Sequence, residues 1–308
     1  MDWPLTVTQF LNGVQLGVLL FLLAAGLTLV FGIMDFVNLA HGSLYMIGAF
    51  FCATMTLWWG SFPLAVLLTL PATLLVGIVV EVLVVRHLYQ REHLDQVLAT
   101  FGLILVFDTG VHLIWGPEGL TFPLPEVLNG QVTVLPGIEF PIYRLLIIAT
   151  GLLVAGGLYL VITRTRIGML IRAGASNRTM VGALGVDIKS LYTLVFAAGA
   201  VLAGLAGLMI APITEASIGM GNDILIVAFV VIIIGGIGSI RGAFLAAMIV
   251  GLIDTLGRSF LDDFMKLFLS NQVAETSAPA LSAMLIYILM AGILYFRPQG
   301  LFPPRGHR

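Results

Sequence analysis

The chain has 308 residues, of which 59% are hydrophobic and only 10% charged, with a net charge of −2 and a mean hydropathy of +1.09. Soluble domains keep roughly a quarter of their residues charged, so this composition excludes an ordinary soluble domain and indicates a polytopic membrane protein. The single cysteine, Cys52, excludes an internal disulfide and makes a cysteine metal site unfavourable.

Runs of about 20 apolar residues are long enough to cross a membrane as helices. The sequence therefore predicts an all-α transmembrane bundle of about eight to nine spans. One of these spans is either continuous or broken or re-entrant, and both alternatives stay open. The first run lacks the basic start and the cleavage pattern of a signal peptide, so we expect it to be retained as a helix. The predicted spans are 9–33, 39–59, 62–86, 95–115, 143–163, 190–212, 222–240, 242–258 and 279–297.

A polar stretch, Phe31–Ala49, lies where the first run ends and the second begins. Asn38 and His41 are three apart and would project from one side of a helix start. One interpretation is a turn capped by Asp35 or Asn38. The other is a broken helix that lines the translocation pathway or its gate, because irregular backbone at membrane depth must be buried or line a wet cavity. The candidate pathway residues are Asn38, His41, Gly42 and Tyr45.

An ionisable residue in a predicted span needs a structural or functional explanation, because placing one at the centre of a transmembrane helix costs about 2.5–3.5 kcal/mol. Asp108 and His112 are four apart, as are Asp254 and Arg258, which predicts an ion pair within each helix. A proton or ion relay is the alternative. It would make the chain an ion-coupled secondary transporter that acts without an ATPase partner.

The sequence offers no convincing catalytic motif. Asp108 in FDTG and Asp223 in GMGND faintly resemble the paired aspartates of membrane aspartyl proteases, but the second motif has an extra residue and Asp223 suits a helix N-cap. Neither an HExxH zinc motif nor a Walker-A loop is present. We therefore expect no catalytic residue, no metal site and no ATP hydrolysis by the chain itself.

Small residues four apart predict close packing between helices, because apolar burial drives little association in lipid. One such helix face contains Gly199, Ala203 and Gly207. Another set contains Gly238, Gly242 and Ala246.

The most basic segment is Thr163–Lys189, which has no acid before Asp187. Lysine and arginine bias sets the direction in which a membrane protein inserts. Nine crossings that start outside place this segment and the C-terminus in the cytoplasm, and they leave the loops 116–142 and 259–278 outside. The other basic residues then expected in the cytoplasm are Arg86, Arg91, Arg241, Arg297, Arg305 and Arg308.

Five ordered segments resemble the permeases of ABC importers for branched-chain amino acids, in particular the smaller of that family's two paired permeases. The likeness runs from about residue 10 to 302. The segments are GLTLVFGIMDFVNLAHGSLYMIGA (Gly26–Ala49), LATFGLILVF (Leu98–Phe107), IGMLIRAGASNRTMVGALGVDI (Ile167–Ile188), VIIIGGIGSIRGAFLAAMIVG (Val231–Gly251) and FRPQGLF (Phe296–Phe302).

This resemblance implies one transmembrane permease domain over residues 1–308, with a cytosolic coupling segment at 164–189 and a periplasmic loop at 116–142. It implies a permease subunit of the bacterial inner membrane that imports branched-chain amino acids or a related small solute by alternating access. The implied partners are two cytosolic ATPase subunits that bind ATP and Mg, a second permease subunit, a periplasmic solute-binding protein and membrane lipid. No cofactor is expected in the chain, and no nucleic acid partner.

The resemblance also implies that Arg172–Gly185 forms a coupling helix that docks on an ATPase subunit, with Gly185 suited to end the helix. Ser176 departs from the family pattern, in which an acid is common nearby. The residues assigned to coupling are Arg172, Ala173, Gly174, Asn177, Arg178 and Gly185.

Overall fold

The computed structural model describes residues 3–302 and shows a helical bundle with one small antiparallel hairpin. Every predicted span is helical, so the prediction of a polytopic helical membrane protein is confirmed. The helices are α1 (Trp3–Met34), α2 (His41–Trp59), α3 (Phe62–Leu83), α4 (His93–Trp115), α5 (Ile142–Arg164), α6 (Arg166–Ser176), α7 (Arg178–Ala183), α8 (Ile188–Thr214), α9 (Met220–Gly235), α10 (Ile240–Met265) and α11 (Asn271–Phe296). The strands are β1 (Gln131–Leu135) and β2 (Ile138–Pro141).

In the described part of the chain, seven helices are long and apolar enough to cross a membrane, namely α1, α3, α4, α5, α8, α10 and α11. The other two predicted spans form α2, whose 19 residues begin with polar side chains, and α9, which has only 16 residues. At 1.5 Å per residue α9 covers about 24 Å, less than the roughly 30 Å of a hydrocarbon core. Both short elements therefore belong to the interior of the bundle.

Two predicted loops contain more regular structure than the sequence indicated. Most of 259–278 is helical, because α10 continues to Met265 and α11 begins at Asn271. Ion pairs from Lys266 to Asp262 (2.7 Å) and Glu275 (3.1 Å) join the two helix ends. The loop 116–142 contains the hairpin β1–β2.

Helices α1 and α8 form the centre of the bundle. Their apolar windows are 83% and 78% buried, against 17% for α4 and 11% each for α5 and α11. Helix α8 packs against α1, α2 and α3, and α1 also packs against α5, α9 and α10. The apolar faces of α4, α5 and α11 are consequently left to lipid or to another membrane chain.

Backbone contact at small residues holds α8 against its neighbours. Gly48 of α2 lies against the backbone of Gly204, and Gly26 of α1 lies against Gly199. The predicted role of the α8 glycines in close packing is confirmed. Gly238 was predicted to share a helix face with Gly242, but it lies in the α9–α10 turn with a φ of 82°.

The bundle has two ends, which we name by the segments at either end of α5: the hairpin end (β1–β2) and the α6–α7 end. Arg144, Arg258 and Lys266 lie toward the hairpin end. Arg305 and Arg308 fall outside the described residues. The basic residues toward the α6–α7 end are Arg86, Arg91, Arg164, Arg166, Arg172, Arg178, Lys189, Arg241 and Arg297.

A buried carboxylate joins α3 to α8 at the α6–α7 end. The Glu81 side chain is 0% exposed. It accepts hydrogen bonds from Arg86 Nη2 (3.0 Å), the Tyr89 hydroxyl (2.7 Å) and the Thr193 hydroxyl of α8 (2.8 Å). A charge buried in this way is tolerated because it is both paired and hydrogen-bonded.

Adding one methyl group at Gly48 should destabilise the fold. In Gly48→Ala the new Cβ would overlap the backbone of Gly204, whereas in Gly156→Ala of α5 it would meet nothing within 4 Å. Both substitutions raise helix propensity equally. We expect Gly48→Ala to lower stability by about 1–3 kcal/mol as overpacking does, seen as a lower midpoint of thermal unfolding in detergent. Equal midpoints for the two variants would contradict this packing.

Neutralising Glu81 should loosen the joint between α3 and α8. Glu81→Gln keeps the side-chain shape but leaves Arg86 without its carboxylate, so the charge-assisted hydrogen bonds to the buried oxygens are weakened or lost. Glu126→Gln, at an exposed position beside the hairpin, is the matched control. Thermal unfolding in detergent should show a lower midpoint for Glu81→Gln alone; an unchanged midpoint would mean that the network is not stabilising.

Candidate coupling segment and membrane break

The predicted coupling segment folds as two short helices. The Asn177 side-chain oxygen accepts a hydrogen bond from the Met180 N–H (2.9 Å) and so caps α7, one residue after α6 ends. Helix α7 ends before Gly185, which has a left-handed φ of 86°. The single helix expected over Arg172–Gly185 is therefore divided at Asn177, while the expected role of Gly185 in ending it is confirmed.

Helix α6 has a face seated on the bundle and a face exposed to solvent. Gly174 is buried, and a Cβ there would lie 3.5 Å from Leu191 of α8 and 3.6 Å from Ile33 of α1. Arg172 and Arg178 are exposed, and within residues 3–302 neither forms an ion pair. The segment thus presents one guanidinium group from α6, whose buried face contacts α1 and α8, and one from the start of α7.

The segment continues directly into α8 through a capped helix start. Asp187 accepts hydrogen bonds from the Ser190 hydroxyl (2.6 Å) and the Lys189 N–H (3.0 Å). These bonds, the Ser190 hydroxyl first, stabilise the carboxylate and lower the pKa of Asp187 below its ordinary value. Residues 184–187 therefore connect α7 to the capped start of α8, the central helix of the bundle.

The chain breaks between α1 and α2 and re-enters the bundle. Residues 35–40 are not helical, and Asn38 within them is 0% exposed. His41, which begins α2, has its Nε2 3.2 Å from the carbonyl oxygen of Leu23. Leu23 lies eleven residues before the end of α1 at Met34, about 16 Å along the helix. Helix α2 therefore begins well inside the bundle.

The start of α2 contradicts one of the two interpretations of this stretch, and the other, that the break lines the translocation pathway, stays a prediction. Helix α2 starts at Ala40 without a side-chain cap, so a turn capped by Asp35 or Asn38 is wrong. Among the described residues, both amide atoms of Asn38 and the hydroxyls of Ser43 and Thr28 are buried without a hydrogen-bond partner. Each such group costs about 1–3 kcal/mol, so it calls for a functional or solvent explanation.

The four candidate pathway residues lie together at the start of α2, and all are buried. Gly42 contacts the backbone of Gly221 in α9, and the carbonyl of Tyr45 contacts Gly207 of α8. These contacts close the bundle at the level of the break.

The start of α9 is a component of this region that sequence reasoning missed. Gly221 meets α2 there, and its neighbour Asn222 reaches across to α4. Asp223 was expected to cap this helix, but it lies in the first turn and Gly219 occupies the N-cap position. The sequence signal that could have identified this helix start is the glycine-rich GMGND motif directly before an apolar run.

The ionisable residues of the spans behave differently from one another. Asp254 and Arg258 form the predicted ion pair at 2.9 Å. Asp108 does not pair with His112; it accepts a hydrogen bond from Asn222 of α9 at 3.4 Å instead. A search of residues 3–302 finds no group of three His, Cys, Asp or Glu side chains that could hold a metal ion.

Comparison with known proteins places these features in a family. A family model described as "Branched-chain amino acid transport system / permease component" matches residues 9–294. The high-affinity branched-chain amino acid transport system permease protein BraD of Pseudomonas aeruginosa is 30% identical over 307 residues, which is 95% of this chain and 94% of BraD. LivH of Escherichia coli K12, of the same description, is 27% identical over 302 residues, 93% of this chain and 94% of LivH.

A more distant relative is named a probable branched-chain amino acid transport permease protein, LivH, in Methanocaldococcus jannaschii. It is 27% identical over 252 residues, 77% of this chain and 76% of its own length. No solved structure gives a significant match. The family is a permease component of a transport system rather than a catalytic enzyme, in keeping with the multi-pass helical bundle. The chain belongs to the family of permease components of branched-chain amino acid transport systems.

Proposed function

We propose that this chain is the membrane-spanning permease subunit of an ATP-driven ABC importer in the bacterial inner membrane. It moves branched-chain amino acids or a related small solute into the cytoplasm by alternating access. The observation that supports this most is the α6–α7 segment, which combines unpaired, exposed arginines with a direct connection to the central helix α8. The names of the relatives support the solute class.

The orientation in this proposal follows from the basic residues. Lysine and arginine concentrate on the cytoplasmic side of membrane proteins, and here they concentrate at the α6–α7 end. The N-terminus then lies outside and the C-terminus in the cytoplasm. The hairpin end faces the periplasm, where a solute-binding protein docks on the loop 116–142 and on the α10–α11 connection.

Coupling in this proposal is mechanical. Two ATPase subunits bind ATP and Mg, and their closure displaces the α6–α7 segments of this chain and of a second permease. The displacement passes through the capped start of α8 to α1, α2 and α3, since α8 packs on all three. Of the six residues assigned to coupling, Arg172, Asn177, Arg178 and Gly185 are exposed and Ala173 is half-buried, so these five are proposed for the ATPase contact. Gly174 is buried against α1 and α8, so its assignment to that contact is wrong and it seats α6 on the bundle instead.

The pathway opens, in this proposal, where α2 meets α8 and α9. The contact of Gly42 with Gly221 joins two backbones without interlocking side chains, so the helices can separate there at low cost. Separation would expose the unpartnered amide of Asn38 together with His41 and Tyr45 to water or to the polar ends of a passing solute. Among the described residues, few other polar side chains lie where α2 meets α8 and α9. The proposed pathway therefore suits passage of a solute without tight binding.

The ion-coupled secondary transporter is less well supported. Asp254 is neutralised by Arg258 on its own helix, and Asp108 is hydrogen-bonded to Asn222. Both acids lie in the half of the bundle toward the hairpin end, so no series of acids leads across the described part of the chain. Uptake by the purified chain alone, in liposomes under an ion gradient, would support that alternative and contradict the ATP-driven one.

Reversing the charge of Arg172 should abolish association with the ATPase subunits. Arg172 is exposed and forms no ion pair with any residue of 3–302, so Arg172→Glu should still insert and fold. Arg91→Glu reverses another exposed charge at the same end, outside α6 and α7. Co-purification from membranes should fail for Arg172→Glu and persist for Arg91→Glu; persistence in both would contradict the coupling assignment.

Asn38→Leu should separate transport from stability. The amide of Asn38 makes no hydrogen bond in this closed arrangement, so its loss should leave the thermal unfolding midpoint unchanged or higher. If the amide serves a solute or water in transit, uptake in proteoliposomes with the ATPase subunits should fall about tenfold, the effect of one lost hydrogen bond. Gln90→Leu, an exposed amide in the α3–α4 connection, should leave uptake unchanged. Normal uptake by Asn38→Leu would remove this residue from the pathway.

A further inference from the structure

The α6–α7 end contains a cavity of about 1170 Å³, whose rim includes the coupling residues Arg172, Asn177 and Arg178 and whose apolar interior has no role in coupling. It lies between the last turns of α1 and α5, helix α6, the α9–α10 turn and residues 298–302. Typical small-molecule pockets have volumes of about 300–1,000 Å³. The volume here therefore suits a ligand larger than an amino acid.

The lining of the cavity is amphipathic. Arg172, Arg178 and Arg241 are exposed and line it where it reaches the surface. The only carboxylate among its described lining residues is Asp35, whose side chain is 71% exposed and 4.0 Å from His93. Buried and half-buried apolar side chains form the rest of the walls, among them Leu29, Ile33, Ile162, Ile233 and Leu301, and the exposed Ile237 lies on the lining as well.

Two further contacts indicate a ligand with polar and apolar parts. Arg241 donates a hydrogen bond from Nη2 to the Tyr159 hydroxyl (3.1 Å), and its guanidinium carbon lies 5.0 Å from the centre of that ring. These contacts orient the cation without neutralising it. The Thr28 hydroxyl, which also lines the cavity, is buried and has no partner in the described part of the chain.

Charge complementarity selects the class of occupant. A zwitterionic amino acid would need a carboxylate for its ammonium group, and Asp35 is exposed at the rim. Three guanidinium groups around apolar walls instead favour an anionic head on a hydrocarbon body, because the guanidinium fork matches phosphate geometry. Helix α5 spans the membrane and ends at this cavity, so the site lies at the depth of lipid headgroups.

We propose that the cavity is a binding site for an anionic phospholipid. Its phosphate lies against Arg241, with Arg172 and Arg178 at the rim adding positive charge, and an acyl chain follows the apolar walls at Leu29, Ile33 and Ile162. Basic pockets between membrane helices on the cytoplasmic side bind acidic headgroups in this manner. The proposal rests on the proposed function only in assigning the lipid to the cytoplasmic leaflet.

Native mass spectrometry of the delipidated full-length chain tests this site. Phosphatidylglycerol and phosphatidylethanolamine with the same acyl chains are added in turn, and inorganic phosphate is added as a competitor. Phosphatidylglycerol should bind at least about fivefold more tightly than phosphatidylethanolamine, and phosphate at equal concentration should not displace it. Equal binding of the two lipids would overturn the proposal, and displacement by phosphate would show a free-anion site instead.

Two variants assign the binding to this cavity. Arg241→Gln should weaken phosphatidylglycerol binding about fivefold, whereas Arg91→Gln, at the same end but outside the cavity, should not. Ile237→Trp fills the cavity without changing charge, at a position 45% exposed where the larger ring fits without refolding, and should also lose the lipid. Unchanged binding in Arg241→Gln or in Ile237→Trp would overturn the proposal.

Crosslinking identifies the occupant in the assembled transporter. Phosphatidylglycerol with a photoactivatable acyl chain should crosslink to α1 near Ile33 and to the α9–α10 turn, with or without the co-purified subunits. Crosslinks confined to α4 or α11 would contradict a lipid occupant of the cavity. None of these measurements depends on ATP or uptake, so failure here leaves the proposed function standing, and failure of ATPase association leaves the lipid result standing.

Discussion

Backbone contact between α8 and its neighbours is the constraint on which the other features depend. Lipid supplies little apolar driving force for helix association, so the central helices approach through small residues, as Gly48 does with Gly204 and Gly26 with Gly199. Helix α8 is consequently held on three sides. The same helix begins at the Asp187 cap, directly after α7. One stiff element therefore links the arginine-rich surface to the buried break before α2.

Close packing at the centre coexists with polar atoms that have no partner. The Asn38 amide and the Ser43 hydroxyl are enclosed by contacts that hold the break shut. Within residues 3–302 no protein group satisfies these atoms, so under the proposed transport cycle they are available to water or to a passing solute.

Hydropathy predicted the helices well because each apolar run is long and its neighbours are polar. Hydropathy placed the ends of α10 and α11 wrongly, because polar residues there form ion pairs with one another. Lys266 pairs with Asp262 and Glu275, so both helices extend into the segment predicted as a loop. The division of the coupling segment rests on a single capping contact of Asn177. Asp108 is hydrogen-bonded to Asn222 of α9 rather than to His112, so this contact depends on the position of α9. Residue spacing along α4 alone cannot predict that contact. Burial of Asn38 without a partner likewise depends on tertiary packing.

The central claim is that the α6–α7 end faces the cytoplasm, where an ATPase subunit can reach it. Thiol labelling measures this directly, because Cys52 is the only native cysteine and is buried. With Cys52→Ala as background, Ser176→Cys in α6 and Thr133→Cys in β1 place thiols at exposed positions of opposite ends. A membrane-impermeant reagent should label Ser176→Cys only in inside-out vesicles and Thr133→Cys only in right-side-out spheroplasts. Labelling of Ser176→Cys from outside alone would contradict the account.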